Sequence, residues 1–128
     1  MFEKYMIVAE QARYIKEGNK ITGFQFGARL PYYRGLGLSM VEDIQVTVDE
    51  KPVEPGKITL TVHDNSYTLK EMETEAEDRW EMGEIAVISI DGEELPAGEH
   101  TIGLVIILRI SYMPFPSFSK ASKKVVLK

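Results

Sequence analysis

The side chains in this sequence with the clearest potential for chemistry are its two histidines, His63 and His100. A metal site needs convergent ligands of suitable type, and neither histidine has a second one at a ligand spacing. Each is expected near the end of a different strand, which favours a hydrogen-bonded corner residue over a metal ligand. Cysteine is absent, so disulfides and thiolate metal sites are excluded. We therefore expect no metal and no cofactor in this chain.

An acidic run between residues 71 and 84 could supply the paired carboxylates of glycoside chemistry. Its members are Glu71, Glu73, Glu75, Glu77, Asp78, Glu81 and Glu84. Catalytic carboxylates need partial burial to separate their pKa values, and little that is apolar surrounds most of these residues. The run therefore favours a solvated surface. No Gly-x-Ser-x-Gly motif and no phosphate-binding glycine loop occurs. We expect no catalytic residue and no active site that is complete within this chain.

Length and composition are those of one soluble globular domain spanning residues 1–128. The chain has a net charge of −5, 44% hydrophobic residues and 27% charged residues, which is ordinary for this class. Residues 1–5 show no apolar signal core, and the apolar run at residues 104–108 is far below the ~20 residues that span a bilayer. We expect a cytoplasmic, bacterial-type protein that binds neither membrane nor nucleic acid. The lysines near the end favour a charged edge strand: Lys120, Lys123, Lys124 and Lys128.

Residues 99–112 form the strongest element, and the rest of the chain must be organised around it. Its even positions are His100, Ile102, Leu104, Ile106, Leu108, Ile110 and Tyr112. Side chains alternate between the two faces of a strand, so one face is continuously apolar. The period of two and the β-branched residues favour a strand over a helix. We expect the even face to be buried.

Alternating patterns separated by turn residues predict further strands along the chain. The expected strands cover residues 6–16 (with a bulge), 21–30, 42–49, 58–63, 67–69, 84–90 and 123–127. Residues 31–39 and 117–122 have loop composition, and a helix of one or two turns at most is expected near 70–78. About eight strands, spaced by roughly ten residues, predict an all-β fold, an antiparallel β-sandwich.

Two of the connections share an unusual composition. One reads Pro31-Tyr32-Tyr33-Arg34-Gly35, and the other reads Tyr112-Met113-Pro114-Phe115-Pro116-Ser117-Phe118. Aromatic residues, Met and Arg are enriched in protein interfaces and their hot spots, and proline lowers the ordering cost of binding. Two readings remain open from the residues alone. The rings either cap one end of the sandwich or form a partner surface made of Tyr32, Tyr33, Arg34, Tyr112, Phe115 and Phe118.

A set of short motifs in fixed order resembles the beta subunit of C-glycoside deglycosidases over nearly the whole chain. The motifs are Met1-Phe2-Glu3-Lys4-Tyr5-Met6-Ile7-Val8, Ile21-Thr22-Gly23-Phe24-Gln25-Phe26, Pro31-Tyr32-Tyr33-Arg34-Gly35, Glu42-Asp43-Ile44, Arg79-Trp80 and Arg109-Ile110-Ser111-Tyr112. The resemblance implies a bacterial two-subunit complex. Its alpha subunit is expected to be a TIM barrel with a divalent metal (manganese or similar) and a histidine base.

The resemblance also implies an activity. The complex would cleave the C–C bond between a 3-oxo sugar and an aromatic aglycone of flavonoid type, after a separate oxidoreductase has made the ketone. The beta subunit would support the alpha subunit rather than carry the catalytic site. The alternative is a free-standing module that binds carbohydrate or protein. In that case Tyr32, Tyr33, Trp80 and Phe115 would act as stacking platforms.

Overall fold

Two antiparallel sheets make up the fold seen in the computed structural model, which describes residues 6–30, 36–75, 78–81, 84–91, 98–109 and 117–127. The described strands are β1 (Ile7–Glu17), β2 (Lys20–Arg29), β3 (Leu36–Gly37), β4 (Val41–Val48), β5 (Lys51–Pro52), β6 (Ile58–Val62), β7 (Asn65–Thr68), β8 (Arg79–Trp80), β9 (Ile85–Asp91), β10 (Gly98–Leu108) and β11 (Ser117–Leu127). One sheet has the order β1-β2-β9-β6-β7 and the other β11-β10-β4-β5, while β3 pairs with β8. The all-β sandwich predicted from the sequence is confirmed.

The strand β10 is central to its sheet, as its alternation predicts. It pairs with β11 on one side and with β4 on the other. Its even positions from His100 to Leu108 are all buried, whereas the odd positions between them are partly exposed. The predicted register is therefore confirmed within the described residues, and Ile110 and Tyr112 lie outside them.

The strands β1 and β2 form the long hairpin that the sequence predicts. Its turn contains Gly18, whose φ of 62° suits glycine. A bulge interrupts the pairing between Val8 and Arg13, also as predicted. Within the bulge, the Gln11 side chain lies over Gly27 of β2, where an added Cβ would come within 2.8 Å of it. The apolar side chains of β2 at Phe24, Phe26 and Ala28 enter the core, together with Leu30 just after the strand.

The prediction for the end of the chain was wrong in its boundaries. A loop was expected over residues 117–122 and a short strand over 123–127, but β11 runs without interruption from Ser117 to Leu127. Every residue of β11 pairs with β10. Because β11 is an edge strand, outer side chains such as Lys120 and Ser122 face solvent. Its inner face carries the small residues Ser119 and Ala121, opposite Ile106 and Leu104 of β10. Those residues hide the strand pattern, and the long partner strand supplies the hydrogen bonds that decide the structure.

The segment expected as a loop over residues 31–39 also contains an element. Leu36 pairs with Trp80 and Gly37 with Arg79 to form the β3–β8 ladder, so the loop prediction was wrong at these two residues. The helix expected near 70–78 is α1 (Leu69–Met72), a single turn. Thr68 and Glu71 start it with a capping box, in which each side chain bonds the backbone N–H of the other residue.

The core lies between the two sheets and is formed by one cluster of buried apolar side chains from both. Trp80 belongs to it and is fully buried, even though it sits in a two-residue strand. No helix in the described part of the chain is long and apolar enough to cross a membrane.

Candidate functional site

The candidate site is one end of the sandwich, which we call the His63 end. In the five-stranded sheet, β2 ends at Arg29 opposite Ile85, where β9 begins. The strand β6 runs antiparallel to β9 and ends just before His63, so it ends on the same side. In the four-stranded sheet, β10 ends at Leu108 opposite the start of β4 at Val41.

Two backbone hydrogen bonds connect the β3–β8 ladder to the end of the four-stranded sheet, and Asp78 beside that ladder contacts His63 at the end of β6. The N–H of Leu38 donates to the carbonyl of Asp78 at 3.1 Å, and the N–H of Arg109 donates to the carbonyl of Met40 at 2.7 Å. The chain from residue 36 to residue 40 therefore leads from β8 to the end of β10. The ends of β2 and β10, which precede the two aromatic connections, lie at the same end of the sandwich.

Five of the six predicted interface residues fall outside the described residues: Tyr32, Tyr33, Arg34, Tyr112 and Phe115. The sixth, Phe118, lies in β11 opposite Ile107, close to the end of β10. Its side chain is 64% exposed. An exposed aromatic ring on an edge strand is available to a partner, but the interface itself stays a prediction.

His63 is the centre of a polar cluster at this end. Its Nδ1 lies 2.8 Å from Oδ1 of Asp78, and its Nε2 lies 2.7 Å from Oε2 of Glu84. The hydroxyl of Tyr67 donates to the other oxygen of Asp78 at 2.7 Å. The His63 side chain is 43% exposed, whereas that of Asp78 is only 14% exposed. The cluster thus has one accessible ring and one nearly buried carboxylate.

The pKa values in the cluster shift in the directions that these contacts require. Hydrogen bonds that the ring donates to Asp78, and then to Glu84, raise the pKa of His63 above its ordinary value of 6.5. The Tyr67 hydroxyl and then His63 lower the pKa of Asp78. The same bond to Asp78 raises the pKa of Tyr67 to about 12. The cluster therefore favours an imidazolium between two carboxylates, with a neutral phenol beside them.

Sequence reasoning missed this cluster, because it assigned Asp78 and Glu84 to a solvated acidic surface. They lie 15 and 21 positions from His63, and no spacing rule links residues that far apart. The only available signal was local: a histidine in a strand-ending turn and a tryptophan close to carboxylates. Trp80 itself is fully buried, so it cannot serve as the stacking platform that the binding-module alternative assigned to it.

A second ion pair at the His63 end lies beside the end of β10. Nε of Arg109 donates to Oε1 of Glu42 at 2.6 Å. Together with Ser39, Val41 and Glu73 they line a small polar surface pocket. Arg109 remains largely exposed, so it can make further contacts with a partner.

The other histidine occupies the opposite end, which we call the His100 end. Nδ1 of His100 lies 2.8 Å from Oδ2 of Asp49, and the N–H of Thr101 donates to Oδ1 of Asp49 at 2.9 Å. This ties the end of β4 to the start of β10. Both histidines are thus hydrogen-bonded at strand ends. Among the described residues, no group of three or more His, Cys, Asp or Glu is arranged to hold a metal ion.

Fold and site together describe an antiparallel β-sandwich with a histidine–carboxylate cluster and the exposed ring of Phe118 toward one end. The family model for the C-glycoside deglycosidase beta subunit matches residues 2–112, and the chain belongs to this family. Among its relatives is the C-glycoside deglycosidase beta subunit of Eubacterium cellulosolvens, which is 37% identical over 88% of this chain and 78% of its own length.

A second relative comes from Microbacterium and is named 3'-dehydrocarminate deglycosidase beta subunit. It is 34% identical over 73% of this chain and 70% of its own length. A third, a C-glycoside deglycosidase beta subunit of Arthrobacter globiformis, is 24% identical over 82% of this chain and 81% of its own. The resemblance stated from the motifs is therefore confirmed. The name beta subunit implies an assembly of more than one kind of subunit.

Proposed function

We propose that this chain is the small, non-catalytic beta subunit of a C-glycoside deglycosidase complex. The complex cleaves the C–C bond between a 3-oxo sugar and an aromatic aglycone of flavonoid type. Family membership is the observation that carries the proposal, because the match covers residues 2–112 and the relatives are named as beta subunits. The bacterial and cytoplasmic setting expected from the sequence is part of the same proposal.

The catalytic chemistry belongs in this proposal to the partner, a TIM-barrel alpha subunit. A ketone on the sugar acidifies the neighbouring carbon, which makes cleavage of the bond to the aglycone accessible to a histidine base. A divalent ion such as manganese in the alpha subunit would stabilise the negative charge that develops on oxygen. The described His63 cluster does not fit such an ion, since both ring nitrogens of His63 face carboxylates.

The His63 end supplies the surface for the alpha subunit. The strands that precede both aromatic connections end there, and exposed Phe118 begins β11 beside them. The proposed interface joins Phe118 to the residues predicted from the sequence, Tyr32, Tyr33, Arg34, Tyr112 and Phe115. Aromatic residues and arginine dominate the energetics of protein interfaces, and an exposed aromatic patch usually marks a partner surface.

Co-expression with an alpha subunit from the same genome tests the proposed function. We expect the two chains to elute together from a sizing column, and cleavage of an oxidised C-glucoside to require both. The unoxidised C-glucoside is the matched substrate control and should remain intact. A chain that elutes alone, beside an alpha subunit that is fully active without it, would contradict the proposal.

A further inference from the structure

The geometry around His63 requires a particular charge state of its ring. Both nitrogens lie within hydrogen-bond distance of carboxylate oxygens, at 2.8 Å from Asp78 and 2.7 Å from Glu84. An ionised carboxylate only accepts hydrogen bonds, and a neutral imidazole has a single N–H. Both bonds can therefore form only when the ring is an imidazolium. Loss of one proton would turn a nitrogen lone pair toward a carboxylate.

These two hydrogen bonds hold the chain before and after the strand β8. Asp78 precedes the strand β8 and Glu84 follows it. Between them, Nε1 of Trp80 donates to the carbonyl of Glu84 at 3.0 Å. The same segment pairs with Leu36 in β3, directly after the connection that carries Tyr32 and Tyr33. The contacts of His63 therefore help to fix the position of Leu36, the residue at which that connection ends.

We propose that His63 is a positioning residue for partner docking. Its imidazolium, with Asp78 and Glu84, forms a pH-sensitive latch that holds β8 and β3 in place at the His63 end. The latch is closed while the ring is an imidazolium and opens when the ring loses one of its two N–H protons. The proposal deepens the proposed function and rests on it only in taking the alpha subunit as the partner.

Several other groups surround the latch and set the direction of its pH dependence. Facing it from the elements packed around it are Tyr67, Glu71, Glu75 and Arg79, together with the neighbouring residues Asp64 and Glu81. The acidic groups among them favour the charged ring, in agreement with the raised pKa of His63. A raised pKa means that the stabilisation is complete below the ordinary value of 6.5 and is lost as the pH rises through the folded value.

Trp80 provides a direct readout, because it is the single tryptophan of the chain and lies inside the latched segment. The experiment follows acrylamide quenching of its fluorescence from about pH 6 to about pH 9, where histidine is the side chain that titrates. We expect weak quenching at the acidic side and a rise above the ordinary histidine value, with the overall β-sheet circular dichroism unchanged.

Two variants separate the latch from other titrating groups. His63→Asn keeps a residue that tolerates the positive φ of 53° at this position. It should show strong quenching at every pH, with no transition. Glu84→Gln retains the ring but removes one carboxylate, so the midpoint should move to lower pH. His100 is intact in both variants and serves as an internal control. Quenching that is flat in the natural chain, or a transition that persists in His63→Asn, would overturn the proposal.

A second arm measures binding to the alpha subunit across the same pH range. We expect the Kd of the natural chain to rise by about tenfold as the latch opens, which corresponds to about 1.4 kcal/mol. His63→Asn should bind weakly, with a high Kd, at both ends of the pH range. Absence of binding at every pH would refute the proposed function while the quenching still tests the latch. Tight binding that is independent of pH, beside a clear Trp80 transition, would refute the docking role alone.

Discussion

The two ends of the sandwich use the same pair of residue types, a histidine and an aspartate, in different ways. At the His100 end the side chain is only 9% exposed and contacts the carboxylate of Asp49. At the His63 end the ring is 43% exposed and contacts two, Asp78 and Glu84. Both corners include residues with positive φ, at Asp49 and His63. The residue types alone therefore do not decide what a histidine corner does.

The difference lies in which parts of the chain each corner connects. Asp49 and His100 join β4 to β10, which are neighbours in one ladder. Their contact reinforces pairing that the sheet already has. His63 instead joins the turn after β6 to a short segment that has two ladder pairs among its described residues. A contact within an existing ladder only adds to the stability of that sheet. A contact that holds a weakly paired segment can determine whether that segment stays in place.

The largest effect on folding stability should come from β10, the strand that runs from one end of the sandwich to the other. Leu104, Ile106 and Leu108 are fully buried in β10, so replacing any of them with alanine should cost about 2–5 kcal/mol of folding free energy. Ile107→Ala is the matched control, because Ile107 is the next residue and points to the outer face. Urea unfolding should show a smaller loss for this variant. Equal losses at Ile106 and Ile107 would contradict the assigned faces.

The second-largest effect is expected on binding to the alpha subunit, and it compares the two ends of β11. Phe118 and Val126 both lie on the outer face of β11, with exposures of 64% and 50%, but at opposite ends. Phe118→Ala should weaken binding to the alpha subunit by about 2 kcal/mol, as for a central aromatic anchor. Val126→Ala should leave the Kd unchanged. Tyr33→Ala should add to the effect of Phe118→Ala.

Calorimetric titration of the alpha subunit with each variant measures these differences, and thermal melts check that each variant is folded. Unchanged binding with a collapsed Tm would mean that the aromatic rings cap the core. A larger loss at Val126 than at Phe118 would move the docking surface to the His100 end.

A smaller effect is expected at the His100 end from Asp49→Asn, which keeps a residue that tolerates positive φ. Hydrogen bonds from His100 and then Thr101 lower the pKa of Asp49 below its ordinary value of 3.8. Its contribution is therefore present above that value and is lost as the pH falls through the folded one. The variant should melt a few degrees lower at neutral pH, and this deficit should shrink in acid. A deficit that is constant with pH would exclude the ionised pair as its cause.

The smallest effect is expected within the acidic run, at Glu73. Its carboxylate lies on the rim of the polar surface pocket beside Arg109, so Glu73→Gln should leave Tm and Kd unchanged. Asp78→Asn is the contrasting variant in the same run, because it removes a partner of His63. It should increase the quenching of Trp80 at about pH 6, where the histidine latch is closed. Equal behaviour of the two variants would indicate that the run is one undifferentiated solvated surface.

The parts of this molecule that are visible in the sequence are those decided by local pattern. The alternation around Leu104 and Ile106 predicts a central strand and the correct buried face. Residues 117–122 show no such pattern, because the outer positions are exposed and the inner positions include the small residues Ser119 and Ala121. The contacts of His63 with Asp78 and Glu84 depend on how the sheets place distant turns. Only the three-dimensional arrangement separates these carboxylates from their solvated neighbours.

Hydrogen exchange of the full chain, measured alone and bound to the alpha subunit, tests most directly that the His63 end is the docking end. We expect new protection in residues 36–40, 78–81 and 117–119, because backbone at a docked surface loses access to solvent. Residues 47–50 and 98–101 at the His100 end should exchange equally in both states. Protection confined to the His100 end would contradict the account.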